Sequence, residues 1–354
     1  MKKIYKGIIS VLMILAVIFL PQNLYKSLNV DKIIDEMYSR REKYYYGVIT
    51  LWQIDCFEGG KGSRANWLKS IVSGFEKKHN GVFVNVEALS VETANKLINS
   101  GQKKPDIISW GTGVNLNEQQ LIKIKPQNAP QNLLNVTYDT AVPWCMGAYF
   151  MIGDGASELW GVDGKIISTK KAQKTVYSVG VPMLNGYVCL NAIKDKCNNI
   201  FNDEKALFFG SSQEIFEAYN YSKKVNRMIG TQRDFYRLSA AQTKENARNG
   251  EIQFLGYTDL FQYISILKCD NEKKVDVMNS FVEFLLDDQQ QSELGSIGLF
   301  PISMSANPQY DNTFTQNGWE NIKAKGLKTA SFIFSGAEAI KQQENCLEIL
   351  QKKE

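Results

Sequence analysis

The sequence predicts an α/β protein with two lobes. Its 354 residues exceed what a single hydrophobic core normally organises. Short β-branched runs alternate with helical periodicity over residues 48–111, and a second alternation begins after residue 205. The aromatic-rich stretch 139–152 and the run 252–267 would carry the chain between the lobes. Such alternation typically forms a parallel sheet with right-handed crossovers.

Strand and helix patterns alternate regularly in the first lobe. Ser63 and Ser90 each precede a helical pattern and are expected N-caps, and Gly101 is an expected helix end. The predicted elements are strand 48–52, helix 63–78, strand 82–86, helix 90–101 and strand 105–111.

The second lobe has a similar pattern with less regular spacing. Thr231 followed by Asp234 resembles a capping box at the start of a helix. Residues 205–209 fit either a helix or a strand. The other predicted elements are helix 213–224, strand 225–230, a helix from Gln232 and an amphipathic helix 275–286, with Phe281, Phe284 and Leu285 facing inward.

The N-terminus predicts export. Lysines precede an apolar run at 7–20, which Pro21 ends. This length suits a secretory signal better than a free-standing membrane helix. A small-x-small cleavage site and a cysteine for lipidation are both missing after the run. Residues 1–21 are therefore either cleaved or kept as a short anchor on the outer face of the membrane, and 22–46 form a linker or stalk.

Composition narrows the functional classes. The net charge of +4 gives no case for nucleic-acid binding. The single histidine, His79, reads as an exposed helix-end residue and argues against common triads and histidine-rich zinc sites. We expect no metal, no cofactor and no catalysis, and a monomer. Six cysteines form no metal-type pair, and Cys56 and Cys145 are either a disulfide or free thiols.

Several segments, in order, resemble the extracellular solute-binding proteins of ABC importers. The resemblance covers about residues 47–305. The matching segments are the strand 49–52, the helix end 75–78, the strand 82–86, Pro105-Asp106-Ile107-Ile108, the return crossing 256–260, the late helix 281–286 with Gln289-Gln290, and the turn 298–301.

The resemblance implies the two-lobed type II periplasmic-binding-protein fold, with an interlobe cleft that closes by hinge motion. It also implies delivery of a small solute to permease subunits in the membrane. The expected lobes are 47–145 plus 256–308, and 146–255 plus 309–354. The missing lipidated cysteine departs from Gram-positive members of the family.

Candidate ligand-binding residues follow strands, because ligands of open α/β sheets lie beyond the carboxyl ends of the strands. Tryptophans there would suit a sugar ring, although each could instead fill the core. Asp259 would either face the cleft or orient the hinge. The candidates are Trp52, Asp55, Glu58, Gly59, Gly60, Ser63, Arg64, Trp110, Gly111, Trp144, Gln232, Arg233 and Asp259.

Three functions remain open at this point. The first is the substrate-binding component of an ABC importer, which captures a polar solute, with a sugar or oligosaccharide preferred. The second is a receptor that reports the same kind of solute to a membrane sensor. The third is a glycosidase that uses a carboxylate pair such as Asp55 and Glu58.

Overall fold

A six-stranded and a five-stranded sheet organise the chain, with a short two-stranded sheet beside them. The structure is a computed structural model. It describes residues 44–124, 131–153, 179–182, 207–209, 211–222, 224–242, 251–329, 331 and 333–334. Elements are numbered over these residues.

Thirteen strands lie in the described residues. They are β1 (Gly47–Ile54), β2 (Val82–Leu89), β3 (Ile107–Trp110), β4 (Val142–Met146), β5 (Tyr149–Gly153), β6 (Val179–Pro182), β7 (Leu207–Phe209), β8 (Arg227–Thr231), β9 (Glu251–Phe254), β10 (Tyr257–Thr258), β11 (Phe261–Ile266), β12 (Phe300–Pro301) and β13 (Lys328–Thr329).

Seven α-helices lie in the same residues. They are α1 (Arg64–Lys78), α2 (Val91–Ser100), α3 (Ser212–Asn220), α4 (Gln232–Gln242), α5 (Glu272–Leu286), α6 (Asp288–Glu293) and α7 (Thr313–Lys325). Short 3₁₀ turns occur at Glu118–Gln120, Gln131–Val136 and Leu294–Ile297.

The first sheet has the strand order β12-β4-β11-β3-β1-β2. β1 and β3 are parallel, with Leu51 opposite Ile107, as the β-α-β-α-β pattern predicts. The sheet is nevertheless mixed, because β11 inserts between β3 and β4 and runs antiparallel to both. Local sequence pattern carries no information on the direction of a strand that arrives from so far along the chain.

The ends of the two helices that follow β1 and β2 agree with the capping predictions. Ser63 accepts a hydrogen bond from the backbone N–H of Asn66, and Ser90 accepts one from Thr93. Gly101 ends α2 with a φ of 65°, in the left-handed region that favours glycine. α1 packs on α5 through an edge-to-face contact between Phe75 and Phe281.

The inward face of α5 differs from the prediction at one residue. Phe281 and Leu285 are buried, whereas Phe284 is half-buried beside Phe75, with the Lys78 ammonium over its ring. Phe284 therefore covers the edge of the α1–α5 contact instead of filling its centre.

The second sheet has the order β7-β6-β8-β5-β9. Residues 207–209 are a strand, which settles the ambiguity of that segment. The helix predicted at 213–224 ends at Asn220. The capping box at the start of α4 is confirmed: Thr231 Oγ1 accepts from the N–H of Arg233, and Asp234 Oδ2 accepts from the N–H of Thr231.

In the described residues, two segments carry the chain from one sheet to the other between β4 and β11, and these two crossings touch. β4 belongs to the first sheet and β5 to the second, so the outward crossing is Gly147 and Ala148. The return crossing, between β9 and β11, hydrogen-bonds to it: Gly147 N–H donates to Leu260 O at 2.8 Å, and Thr258 Oγ1 donates to Gly147 O at 2.6 Å. Both sheets lie within one compact unit that begins at Val48.

The predicted signal or anchor at 7–20 and nearly all of the predicted stalk lie outside the described residues. Across the part of the chain that the structure describes, no helix has both the length and the apolar character needed to cross a membrane. The proposed lobe boundaries stay predictions.

Candidate functional site

The loop 55–62, between β1 and α1, holds four of the thirteen candidate residues: Asp55, Glu58, Gly59 and Gly60. The loop packs around the side chain of Arg64, the first residue of α1, which is only 2% exposed. The guanidinium donates to Phe57 O at 3.1 Å, lies 3.2 Å from Asp55 Oδ1, and stacks 4.1 Å from the centre of the Phe57 ring. Arg64 therefore binds its own loop, and we do not retain it as a ligand contact.

The glycines of this loop permit close packing within the protein. A Cβ on Gly60 would lie 2.3 Å from Gly298 O, and one on Gly111 would lie 2.9 Å from Cys56 Cβ. A Cβ on Gly59 would meet the Arg64 guanidinium at 3.6 Å, which is an ordinary contact. Gly60 and Gly111 thus serve the approach of one chain segment to another, and Ser63 serves as the N-cap of α1.

Trp52, Trp110 and Trp144 are fully buried. The indole of Trp144 stacks on Trp67 of α1 at 5.5 Å. Each indole N–H donates to a side-chain oxygen, as follows: Trp52 to Glu87 Oε2 at 3.2 Å, Trp110 to Ser265 Oγ at 2.9 Å, and Trp144 to Ser109 Oγ at 3.0 Å. Core packing accounts for all three, which corrects the expectation that they present their faces to a sugar.

Cys56 and Cys145 are free thiols in this structure. Burial raises the pKa of each thiol to about 12, although the charge of Arg64 acts in the opposite direction. Both thiols therefore stay protonated and unreactive at neutral pH.

Polar side chains from the two sheets meet where the loop after β1 faces α3 and α4. We name this group the bridge cluster, and it consists of Glu58, Ser212, Arg233, Asp234 and Arg237. Ser212 Oγ donates to Glu58 Oε2 at 2.8 Å, and the same oxygen lies 3.6 Å from Arg237 Nη2 and 3.8 Å from Arg233 Nε. Arg233 also reaches Gly60 O at 3.5 Å.

Asp234 anchors the bridge cluster on the side of the second sheet. Its carboxylate lies 2.7 Å from Arg237 Nη1 and accepts from the Thr231 N–H. Burial raises the pKa of Asp234, whereas Arg237 and the Thr231 N–H lower it. Arg237 is thus held in place by second-sheet residues.

A second ion pair supplements the bridge cluster. Lys61, in the same loop, pairs with Asp311, just before α7, and its ammonium lies 5.8 Å from the centre of the Tyr236 ring of α4. The loop after β1 therefore holds the second sheet's helices through charges of both signs.

Gln232 and Asp259 lie at the chain crossings. Gln232 is fully buried, and its Oε1 accepts from the Ala148 N–H at 3.2 Å. Asp259 Oδ1 accepts from the Tyr149 hydroxyl at 2.7 Å, and burial raises the pKa of this carboxyl to about 7. Among the described residues, neither Gln232 Nε2 nor Asp259 Oδ2 has a hydrogen-bond partner. Each residue therefore stabilises a crossing through a hydrogen bond to one of its side-chain oxygens.

The carboxylate pair of the glycosidase hypothesis is engaged by arginines. Asp55 pairs with Arg64, and Glu58 pairs with Arg233 and Arg237. In the part of the chain described here, no group of three or more His, Cys, Asp or Glu side chains could hold a metal ion. His79 caps the end of α1, half-buried, with its ring stacked 4.0 Å from that of Phe75.

The structure thus brings Glu58 and Arg233 together and leaves the three tryptophans apart in the core. Sequence reasoning missed Ser212 and Arg237. Arg237 stands three residues after Asp234 and four after Arg233, and both are helical spacings that make Arg237 a neighbour of each of them on the helix surface. That spacing could have identified Arg237, whereas Ser212 gives no such signal.

No protein-family model matches the chain, and no curated protein matches it in sequence. Solved structures do match. An ABC transporter structure from Clostridium perfringens is 13% identical with a TM-score of 0.57, over 85% of this chain and 99% of that one.

Two other matches are to proteins for which a ligand is named. The GacH receptor of Streptomyces glaucescens, solved unliganded and with acarbose, is 13% identical with a TM-score of 0.53, over 88% of this chain and 94% of that one. Ferric iron-binding protein A of Mannheimia haemolytica, in an open conformation, is 12% identical with a TM-score of 0.55, over 87% and 98%. At these identities the likeness establishes architecture alone: the chain has the two-lobed α/β fold of the type II periplasmic binding proteins.

Proposed function

We propose that the protein is the substrate-binding component of an ABC importer and captures a small polar solute between its lobes. The observation that carries this proposal is the bridge cluster, where a loop from one sheet meets the starts of two helices on the other. Ligands of open α/β sheets bind at such strand-to-helix turns. The cluster supplies hydroxyl, guanidinium and carboxylate groups, which can pair with a polar solute.

The paired crossings support a hinge. Rotation about Gly147 and Leu260 would separate the loop after β1 from α3 and α4 while leaving both sheets intact. The lobes on either side would be 47–145 plus 256–308, and 146–255 plus 309–354. The packing of α7 against β9 and α4 is consistent with placing the C-terminal part in the second lobe.

A sugar remains one solute class to be tested, but the tryptophans no longer support it. The sequence argument rested on three tryptophans, and all three are buried. Within the described residues, the polar groups of the bridge cluster are the ones we propose for binding a sugar. Charged solutes therefore belong in the same test.

The proposed setting is the outer face of the cytoplasmic membrane, with the protein exported by residues 1–21 and acting as a monomer beside permease subunits. A sensor receptor would bind solute in the same way but would signal to a different membrane partner. Copurification of the full-length protein with permease subunits from its own membranes is expected for transport, and copurification with a sensor protein would favour signalling.

Thermal unfolding with a panel of sugars, amino acids and anions tests the binding role. A solute at 100 times its Kd should add about 2.7 kcal/mol to stability. We expect stabilisation by one solute class without chemical turnover of that solute. Failure of every solute to shift the transition, or release of product from a glycoside, would contradict the proposal.

A further inference from the structure

Resting on the proposed function, we infer that the solute carries a carboxylate, which binds between α3 and α4 where the Glu58 carboxylate now lies. The binding groups would be Ser212, Arg233 and Arg237. Glu58 would then be an internal substitute for the solute, which exchanges with it when the ligand enters.

The geometry around Glu58 is that of a carboxylate-binding site. One oxygen, Oε2, receives the Ser212 hydroxyl at 2.8 Å and faces two guanidinium groups at 3.6 and 3.8 Å. The two longer distances exceed those of hydrogen bonds, so a single hydrogen bond and two ionic contacts hold this oxygen. A free carboxylate that reached both arginines more closely could replace it.

Two of the receiving groups, Ser212 and Arg237, have contacts on the side of the second sheet that do not involve Glu58. Arg237 Nη1 is held by Asp234 at 2.7 Å and lies 3.2 Å from Ser212 Oγ. Asp234 is in turn buried and bonded to the Thr231 N–H. These residues end or follow strands of the second sheet, so this part of the site would persist when the loop after β1 moves away.

The charges predict a monoanion. The bridge cluster contains two guanidinium groups and, with ionised side chains, two carboxylates. Departure of Glu58 leaves one positive charge in excess beside the amino-terminal ends of α3 and α4, which also favour negative groups. One carboxylate restores the balance.

The site is open to solvent. The side chains of Glu58 and Arg233 are 34% and 45% exposed. A small solute can therefore reach the arginines while Glu58 moves out.

Calorimetric titration of the full chain tests this inference, with glucuronate and lactate as carboxylate probes and glucose as the neutral partner of glucuronate. Glu58→Gln removes the competing charge and should tighten both carboxylates by about tenfold or more, with a smaller change for glucose. Glu92→Gln is the control, because it removes an equal charge from the exposed pair with Lys96.

Arginine variants complete the test. Arg233→Gln and Arg237→Gln should each weaken the carboxylates by about tenfold or more. Arg237→Gln also leaves the buried Asp234 without its counter-ion, so the variant itself could unfold; Arg233→Gln tests the site without that complication, because Arg233 makes no ion pair with Asp234 in the structure.

The outcomes separate the two proposals. If glucose binds and neither carboxylate does, or if Glu58→Gln and Arg233→Gln leave carboxylate affinity unchanged, the inference is wrong and the binding role stands. If neither these three probes nor any solute of the thermal panel binds, both are contradicted.

Discussion

Arg64 and Arg233 stand at matching places in the two sheets, yet they have opposite environments. Each lies in the first turn of a helix that follows a parallel strand. Arg64 is 2% exposed and Arg233 is 45% exposed. The turn before α1 is long enough for Asp55 and Phe57 to fold back over Arg64, whereas α4 starts directly after β8 and has no such loop. Turn length thus decides whether the arginine binds its own chain.

The largest expected effect concerns the packing role of the first-sheet candidates. Trp144→Ala removes a buried indole stacked on Trp67, and should lower the free energy of unfolding by about 4 kcal/mol. Urea unfolding followed by circular dichroism measures this. Phe83→Ala, at an aromatic residue that is 59% exposed on β2, is the control and should cost little. Equal free energies of unfolding for the two variants would contradict the packing role of Trp144.

Arg64→Ala should destabilise the protein by about 2–3 kcal/mol. The substitution leaves Phe57 O without its donor and an unfilled space beneath the loop after β1. The same urea titration applies. A loss below about 0.5 kcal/mol, the level typical of surface substitutions, would show that the loop does not depend on its arginine.

The crossing that joins the two regions should give a pH dependence. Burial raises the pKa of Asp259 to about 7, so the folded state holds a proton that the unfolded state, with a pKa of 3.8, has released. The contribution of Asp259 to the free energy of unfolding should be fully present below about pH 4. It should be lost as pH rises to about 7, at no more than about 1.4 kcal/mol per pH unit. Unfolding measured from pH 4 to 8 should show a flatter profile for Asp259→Asn. Identical profiles for the variant and the unmodified protein would argue against this assignment.

The smallest effect is expected at the exposed arginine. Arg233→Ala should change the free energy of unfolding by less than about 0.5 kcal/mol, because its ion pair with Glu58 is exposed and longer than a hydrogen bond. Thermal and urea unfolding both report this value. A loss of unfolding free energy as large as that expected for Arg64→Ala would show that the two arginines contribute equally to stability.

Sequence reasoning reached those parts of the fold that depend on neighbours within a few residues. Ser63, Ser90 and Gly101 cap helices as predicted, because capping bonds span three or four positions. The Thr231–Asp234 capping box is equally local.

The site depended on partners far along the chain. Glu58 and Ser212 are separated by 154 residues, and no spacing rule connects them. Whether Trp144 is covered was decided by Trp67 on α1, which a reading of residues 139–152 could not include. Chemistry at a turn was therefore predictable, and accessibility was not.

The position of β11 has a consequence for synthesis of the chain. β3 and β4 are made early, yet their common neighbour in the sheet, β11, ends only at Ile266. Until the ribosome has released that segment, both strands keep unpaired edges, and the indole of Trp110 lacks its partner Ser265. Long-range pairing of this kind slows folding and exposes strands that can associate with other chains. The first sheet should therefore remain incomplete until most of the chain has emerged, whereas the strands of the second sheet are all synthesised before β11.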